Sequence, residues 1–477
     1  MYPRAVRAWG FDISTGSDAP FMDAFVLHLL VSARSVLASQ KPQILSMKLR
    51  KILQIILLPA AVFAAPEEAS RVVEPAGALT LQRALALALE QSPELAAFNL
   101  EIRAAEARVV QARLRPNPDL IVTGEDFLGQ GDFQGVDQSQ LTLQLSQIIE
   151  LGGKRRARTG VAMAARERSL AEYEVKRVEV LAGVTERFIE VVAHQEELAL
   201  AREARALAED SLGAARKRVE AGRGSPLEEQ RVAVALARSK IEEEHLEHEL
   251  LTDRRRLAAF WGSDAPTFKE ARANLFAQRT APSLDFLEAR VANGPEGLRW
   301  VSEKRLREAE LKLALTRRTP SLTLGGGVRY LATSEDLAFV MQFSLPLPIS
   351  DRNQGAIGEA RALDSKAVID RRANELRLRA TLFGLYQELL HSIKELEVIR
   401  REILPGAQES LRLAREGFAE GKFSQLELLD AQRTLVEVKK QNIAAASNYH
   451  RYVLEMEKLL GAPLHPGNQN QGSPTAK

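Results

Sequence analysis

The sequence predicts a mainly α-helical chain with four β-strands, internally duplicated, three copies of which close a twelve-strand transmembrane β-barrel over an α-helical tunnel. Three observations lead there. Landmarks recur in the same order at a spacing of roughly 200 residues. Each half holds a helical pattern far longer than a globular domain uses. Between the helices lie short runs of apolar and polar residues in alternation, the period of strands with one wet and one apolar face.

The duplication is read residue by residue. Arg115-Pro116-Asn117-Pro118-Asp119-Leu120 answers to Arg317-Arg318-Thr319-Pro320-Ser321-Leu322, and Leu145-Ser146 to Phe343-Ser344. The stretch 215–222 answers to 414–421, and Ser225-Pro226-Leu227-Glu228 to Ser424-Gln425-Leu426-Glu427. Phe260-Trp261-Gly262 near one end matches Leu459-Leu460-Gly461 near the other. Each half therefore runs opening helix, two strands, very long helix, tight turn, return helix.

In the first half the expected helices cover 80–114, 155–221 and 226–260; in the second, 284–316, 354–420 and 425–460. Pro116 and Pro118 stop the opening helix, because proline lacks the amide donor and disfavours helix in the residue before it. At 1.5 Å per residue the long helices span about 100 Å and the short ones about 50 Å. Two short helices end to end match one long one. The expected pairs are the first return helix with the second opening helix, and the last helix of the chain with the first. Apolar residues at three- and four-residue spacing through 181–212 and 382–413 predict coiled packing.

The strands follow. Leu141, Leu143 and Leu145 share one face, and Thr142, Gln144 and Ser146 the other. Phe339, Met341, Phe343, Leu345 and Leu347 form a second apolar face, with Gln342 and Ser344 opposite. Leu120 and Val122, and Leu322 and Leu324, begin the partner strands. Four strands cannot close on themselves, and an open edge in lipid leaves backbone groups that cost several kcal/mol each. Closure needs copies, hence a homotrimer in contact with membrane lipid. The alternative is a soluble or peripheral coiled-coil scaffold whose hairpins cap a helical bundle.

Met47-Lys48-Leu49-Arg50-Lys51 followed by an apolar run and Ala64-Ala65 has the form of an export signal, too short to span a bilayer. The chain divides into a misassigned extension at 1–46, a signal peptide at 47–65 and a periplasmic linker at 66–78. The first repeat is 79–262, an inter-repeat linker 263–282, the second repeat 283–463, and a disordered tail 464–477. A genuine 46-residue leader is the rival to the misassigned extension.

Composition narrows the function classes. Charged residues are 27% and aromatic residues 5%, a helical-bundle composition. The 65 basic residues are matched by 63 acidic ones, which argues against a nucleic-acid partner. There is no cysteine, so no thiolate metal site and no cysteine-linked lipid anchor. No phosphate loop or catalytic triad stands out, and Gly325-Gly326-Gly327 lies inside a strand, where it permits bending. The chain is expected to be no enzyme and to need no cofactor.

These residues resemble the TolC-type outer-membrane efflux proteins over nearly all of 79–463. The most specific element is 421–432, Gly421-Lys422-Phe423-Ser424-Gln425-Leu426-Glu427 followed by Asp430-Ala431, similar to the family's glycine, hydroxyl and acidic-x-x-acidic-alanine pattern at its inner tip. Gly222-Arg223-Gly224-Ser225 is a weaker first-half copy. The run 346–355 and Leu151-Gly152-Gly153-Lys154-Arg155 resemble the strand-to-helix junctions of the cobalt–zinc–cadmium resistance branch. The resemblance implies a trimer with a twelve-strand barrel in the outer membrane and a helical tunnel through the periplasm. It also implies docking to a periplasmic membrane-fusion adaptor and to an inner-membrane pump of the resistance-nodulation-division type. The expected role is a passive exit duct for divalent heavy-metal cations, with drugs as the alternative cargo. Two departures stand out: the lipidated cysteine of many relatives is missing, and the first tip has Gly224 and Pro226 where relatives carry bulkier residues.

The expected sites are a gate, docking tips and lining. Glu427 and Asp430, three residues apart, share a helix face; in a trimer they form a double carboxylate ring that favours cations. The plain alternative is a solvated helix start, where acids favour the positive dipole end. Gly222, Arg223, Gly224 and Ser225, with Gly421, Lys422, Phe423 and Ser424, are the expected adaptor-docking tips. Leu141, Leu143, Leu145, Phe339, Met341, Phe343 and Leu345 are the expected membrane-facing residues. His245 and His248 invite a metal reading at their i, i+3 spacing, but no further ligand converges, and a charged outer helix face explains them.

Overall fold

A computed structural model describes residues 74–464. The extension, the export signal, most of the 66–78 linker and the tail from 465 lie outside the described residues. Within them the chain begins with β1 (Ala78–Leu79), α1 (Leu81–Gln91) and α2 (Pro93–Arg113). Strands β2 (Asp119–Glu125) and β3 (Gln140–Ile149) lead into α3 (Lys154–Glu220) and the return helix α4 (Pro226–Ala258). After β4 (Glu270–Ala271) the plan repeats: α5 (Leu284–Val291), α6 (Pro295–Thr316), β5 (Leu322–Leu331), β6 (Asp336–Ser344), α7 (Gln354–Val398), α8 (Leu404–Ala419) and α9 (Gln425–Leu460). No described helix is long and apolar enough to cross a membrane.

The long helix of the first half is continuous for 67 residues, about 100 Å. Its counterpart is not. A π-helical turn at Ile399–Ile403 separates α7 from α8. Pro405 follows it and offers no amide hydrogen to the preceding turn, so the ladder re-forms one residue out of step. The expected single helix over 354–420 is corrected to that extent.

Both opening helices are also broken, at matching places. Ser92 caps α2 through its side chain, with Pro93 at the first helical position. Pro295 likewise takes the first helical position of α6, behind Gly294, which has no side chain to cap with. Proline is welcome at the first turn of a helix, where its missing donor is not needed. So 80–114 and 284–316 each become two helices.

The breaks set the stacking, and here the expected pairing is overturned. Gly262, in the left-handed region at φ 79°, ends α4 against the Pro93 ring, 3.5 Å from where a Cβ would lie. Gly461, at φ 65°, ends α9 so close to Pro295 that a Cβ would run into the ring. Each return helix thus abuts the opening helix of its own half. Helix length says that two short helices stack; only the left-handed glycine and the proline it meets decide which two.

The main core gathers at this level. Leu87, Val184, Phe188, Leu257, Trp261, Leu382, Leu389, Leu396 and Met456 are all at most 1% exposed. The stretch 263–282 is more than a linker. β1 and β4 pair in parallel, Ala78 opposite Glu270. Phe268, Ala271 and Leu275 are buried in the core. The Gln195 side chain both donates to and accepts from the Ala271 backbone, at 2.8 Å each. Arg400, carried on the π-turn, donates to the Phe276 carbonyl at 2.6 Å. Tyr449 Oη accepts from the Arg279 amide at 2.9 Å, and the His450 ring meets the Leu275 carbonyl at 2.8 Å. Burial holds the His450 pKa below its ordinary value, so the ring is neutral and Nε2–H donates. Between α3 and α4, the carboxylate of Asp253 is buried and held by His194 Nδ1 and, at 3.2 Å, by Arg256.

The larger sheet has the order β2-β3-β5-β6, every pair antiparallel. The hairpins of the two halves therefore meet along β3 and β5, from Gln140 opposite Leu331 to Ile149 opposite Leu322. β2 and β6 are its edges.

Candidate functional site

The sheet separates apolar from polar along each strand. On β3, Thr142, Gln144 and Ser146 are buried while Leu141, Leu143 and Leu145 are exposed. On β6, Phe339 is 92% and Met341 91% exposed, with Phe343 beside them. Leu345 is corrected: it lies one residue past the end of β6, because Pro346 has no amide to give the ladder.

The polar face is a bonded network. Gln144 reaches across β5 to Gln342 on β6 at 2.6 Å. It passes over Gly325, where a Cβ would lie 3.1 Å from the Gln144 Cδ. Arg329 donates to Thr142 Oγ1 at 2.9 Å and to Gln140 Oε1 at 3.0 Å, and pairs with Glu125 at 3.4 Å. Within the glycine triplet, Gly325 thus makes room for the crossing side chain and Gly327 for the close approach of the β3 backbone. Arg329 was visible in the sequence as a charge inside a strand and was passed over.

Charge is polarised along the strands. The four crossings between sheet and helices, 113–119, 150–158, 317–321 and 350–354, carry nine basic and three acidic side chains. The opposite strand ends, 125–140 and 332–336, carry six acidic residues and no basic one.

At the other end of the helices the two tips share one geometry. The Gly222 amide donates to Val219 O at 2.9 Å and the Arg223 amide to Arg218 O at 2.8 Å. The Gly421 amide donates to Phe418 O at 3.1 Å and the Lys422 amide to Gly417 O at 2.8 Å. Both are Schellman turns, with glycine at φ 70° and 74° supplying the left-handed residue. Ser225 and Ser424 then cap α4 and α9 in capping boxes with Glu228 and Glu427.

The departure at Gly224 has a local cause. Phe423 of the second tip packs over Gly417, where a Cβ would lie 2.6 Å from Phe423 Cε2. In the first tip the positions are exchanged: Arg218 stands where Gly417 does, and Gly224 where Phe423 does, with a Cβ at Gly224 only 3.2 Å from Arg218 Cβ. Arg218 also lies 4.6 Å over the Phe418 ring and so joins the two tips. Sequence reasoning missed Arg218. The exchange becomes visible only when the two tips are aligned against each other.

Glu427 and Asp430 are both exposed on α9 but are not equivalent. The Glu427 carboxylate turns back to the Ser424 amide at 2.6 Å and hydroxyl at 2.9 Å. The Ser424 backbone donor, then its hydroxyl, holds the carboxyl below the ordinary carboxylate range. By linkage the contribution of this cap is present above the ordinary pKa and fades only as pH falls through the lowered one. Asp430 has no ion pair among the described residues. Lys422 is paired with Glu420 at 2.6 Å, while Arg223 is exposed with no such partner among the described residues. His245 and His248 are exposed on α4, and among the described residues no three His, Asp or Glu side chains converge on one point.

The sequence profile of a family described as outer membrane efflux protein matches residues 84–263 and 302–462. The cobalt-zinc-cadmium resistance protein CzcC of Cupriavidus metallidurans is 32% identical over 388 residues, covering 81% of this chain and 91% of that protein. Among solved structures, that of CusC, which undergoes conformational changes on folding and transmembrane channel formation, aligns with TM-score 0.68 at 15% identity, covering 80% of this chain and 92% of its own. The outer membrane protein VceC of Vibrio cholerae aligns with TM-score 0.67 at 16% identity, covering 81% and 97%.

Proposed function

The chain belongs to the outer membrane efflux protein family, outer-membrane channels that extend into the periplasm, and from that premise we propose that three copies form a passive duct for divalent heavy-metal cations. The observation that carries this reading is the open sheet, apolar on one face, polar on the other and unpaired at β2 and β6. Strand directions alternate across it, so β6 of one copy meets β2 of the next antiparallel and the pattern continues. Two copies give about eight strands, a barrel whose interior side chains fill. Three is the smallest ring that leaves a water-filled lumen lined by Arg329, Gln144 and Gln342.

The tips lie a full helix length from the sheet and are the docking points for a periplasmic adaptor, which links the duct to an inner-membrane pump. Gly222, Arg223, Gly224 and Ser225 present one turn, and Gly421, Lys422, Phe423 and Ser424 the other. The cobalt-zinc-cadmium resistance for which CzcC is named supports metal cations as cargo. The carboxylates at the strand ends and at the tip agree in sign with that cargo.

The gate is tested by conductance in planar bilayers. The wild type is expected to select cations, and Asp430→Asn to lower the cation-to-anion permeability ratio roughly threefold, since a ring of free carboxylates sets selectivity. Glu427→Gln is expected to change selectivity less, because that carboxylate already serves the cap. Unchanged selectivity in Asp430→Asn with Glu427→Gln would remove the gate from this mouth.

A further inference from the structure

At the junction of sheet and helices lies an open hollow of about 1130 Å³ between the end of α2, the end of β3 and the start of α3. Arg113, Arg115, Arg155 and Arg156 ring it, and Ile148 and Met163 are among its apolar lining. All four arginines are exposed, and none has a carboxylate partner among the described residues. The one acid in the lining, Glu150, is engaged elsewhere: Arg158 holds both its oxygens, at 2.5 and 3.2 Å, while also donating to the Ala112 and Leu114 carbonyls. Four unneutralised guanidiniums around one hollow repel each other and call for an anion. The first turn of α3 forms part of the rim, and its positive dipole end adds to that field.

We propose that this hollow binds the headgroup phosphate of an anionic phospholipid from the leaflet facing the periplasm. The inference rests on the outer-membrane reading and deepens it. Three features select lipid over a free phosphate ion. Part of the lining is apolar, with Ile149 and Met163 both more than a third exposed. Ile149 has the parity of Leu141, Leu143 and Leu145 and so continues the outward apolar face of β3, where acyl chains lie. Three of the four crossings of the wider junction carry a basic excess and the fourth is balanced, while the far strand ends are acidic, so the sign matches one side of the sheet only. The planar fork of arginine pairs with two phosphate oxygens at once, as a lysine ammonium does not.

The test adds phosphatidylglycerol or phosphatidylcholine at equal concentration to the full-length protein purified in a neutral detergent, and counts retained lipid by native mass spectrometry. Wild type is expected to retain phosphatidylglycerol about tenfold better. Replacing Arg113, Arg115, Arg155 and Arg156 together by Gln is expected to bring the ratio to about one, and replacing them by Lys to restore part of it. A charge-matched control, Gln at Arg103, Arg108, Arg231 and Arg255, is expected to keep the wild-type ratio. An equal fall in that control, no preference in wild type, or displacement of phosphatidylglycerol by inorganic phosphate would each overturn the proposal. Fractionation of cells separates the two failures: an outer-membrane protein without the preference sinks this inference alone, and a soluble one sinks the outer-membrane reading beneath it.

Discussion

A Gly327→Val chain is expected to lose its heat-resistant assembly and to reach the outer membrane in sharply reduced amount. Gly327 lies opposite Gln144 in the β3–β5 seam, and a Cβ there would sit 2.7 Å from the Gln144 Cα and closer still to the Leu143 carbonyl. Those atoms are backbone and cannot swing aside. Valine adds two methyl groups to the conflict, so the seam opens or slips. Among the described residues that seam is the only pairing between the hairpins of the two halves. Without it each half keeps a two-stranded ribbon, which is marginal even in water and in lipid exposes two more edges. The control is one residue away. Gly326 has nothing within 4 Å of a Cβ and faces the apolar side, so Gly326→Val is expected to assemble like wild type. Equal assembly of both variants would show that the close approach of β3 and β5 is not required.

Trp261→Ala is expected to loosen the whole middle of the molecule at a cost of about 3–5 kcal/mol. Trp261 is fully buried at the end of α4, its Nε1–H donating to Glu74 at 2.8 Å. Its ring meets Phe268 at 6.4 Å between centroids. Glu74 in turn accepts from the Thr267 amide at 2.6 Å. One side chain therefore joins the start of the described chain, the return helix and the segment 263–282. The readout is trypsin cleavage after Lys269 and Arg272, both on that segment and both exposed. Cleavage there is expected to be at least about tenfold faster in the variant, following the rise in the open population. Protection equal to wild type would mean that the backbone bonds from Gln195, Arg400 and Tyr449 hold the segment unaided.

What the sequence made legible was local and repeated. The 67-residue helix, the return helices and the strand alternation of Leu141, Leu143 and Leu145 are each written in one stretch of chain, so a period reveals them. Pro93 and Pro295 were equally visible, yet the helical pattern ran through them, because a proline at the first position of a helix leaves the apolar period intact. The π-turn before Pro405 hides in the same way. Which helices stack end to end was beyond reach, since Gly262 meeting Pro93 and Gly461 meeting Pro295 is a matter of three-dimensional contact. At the tips the glycines and capping serines were readable, but the double duty of Glu427 was not fully. A carboxylate three residues after a capping serine is a capping-box residue first, and that leaves Asp430 as the free charge. The Arg218–Gly224 exchange against Gly417–Phe423 needed both tips seen together. The arginines of the junction were each in plain view, but their convergence on one hollow depends on where α2 ends beside α3.

The reading as an outer-membrane duct is tested most directly by separating inner and outer membranes of expressing cells and comparing heated with unheated samples on a gel. The expected result is a band confined to the outer membrane that runs as a trimer unheated and collapses to a monomer on heating. A soluble, monomeric band in both lanes would contradict the barrel and leave only a coiled helical scaffold.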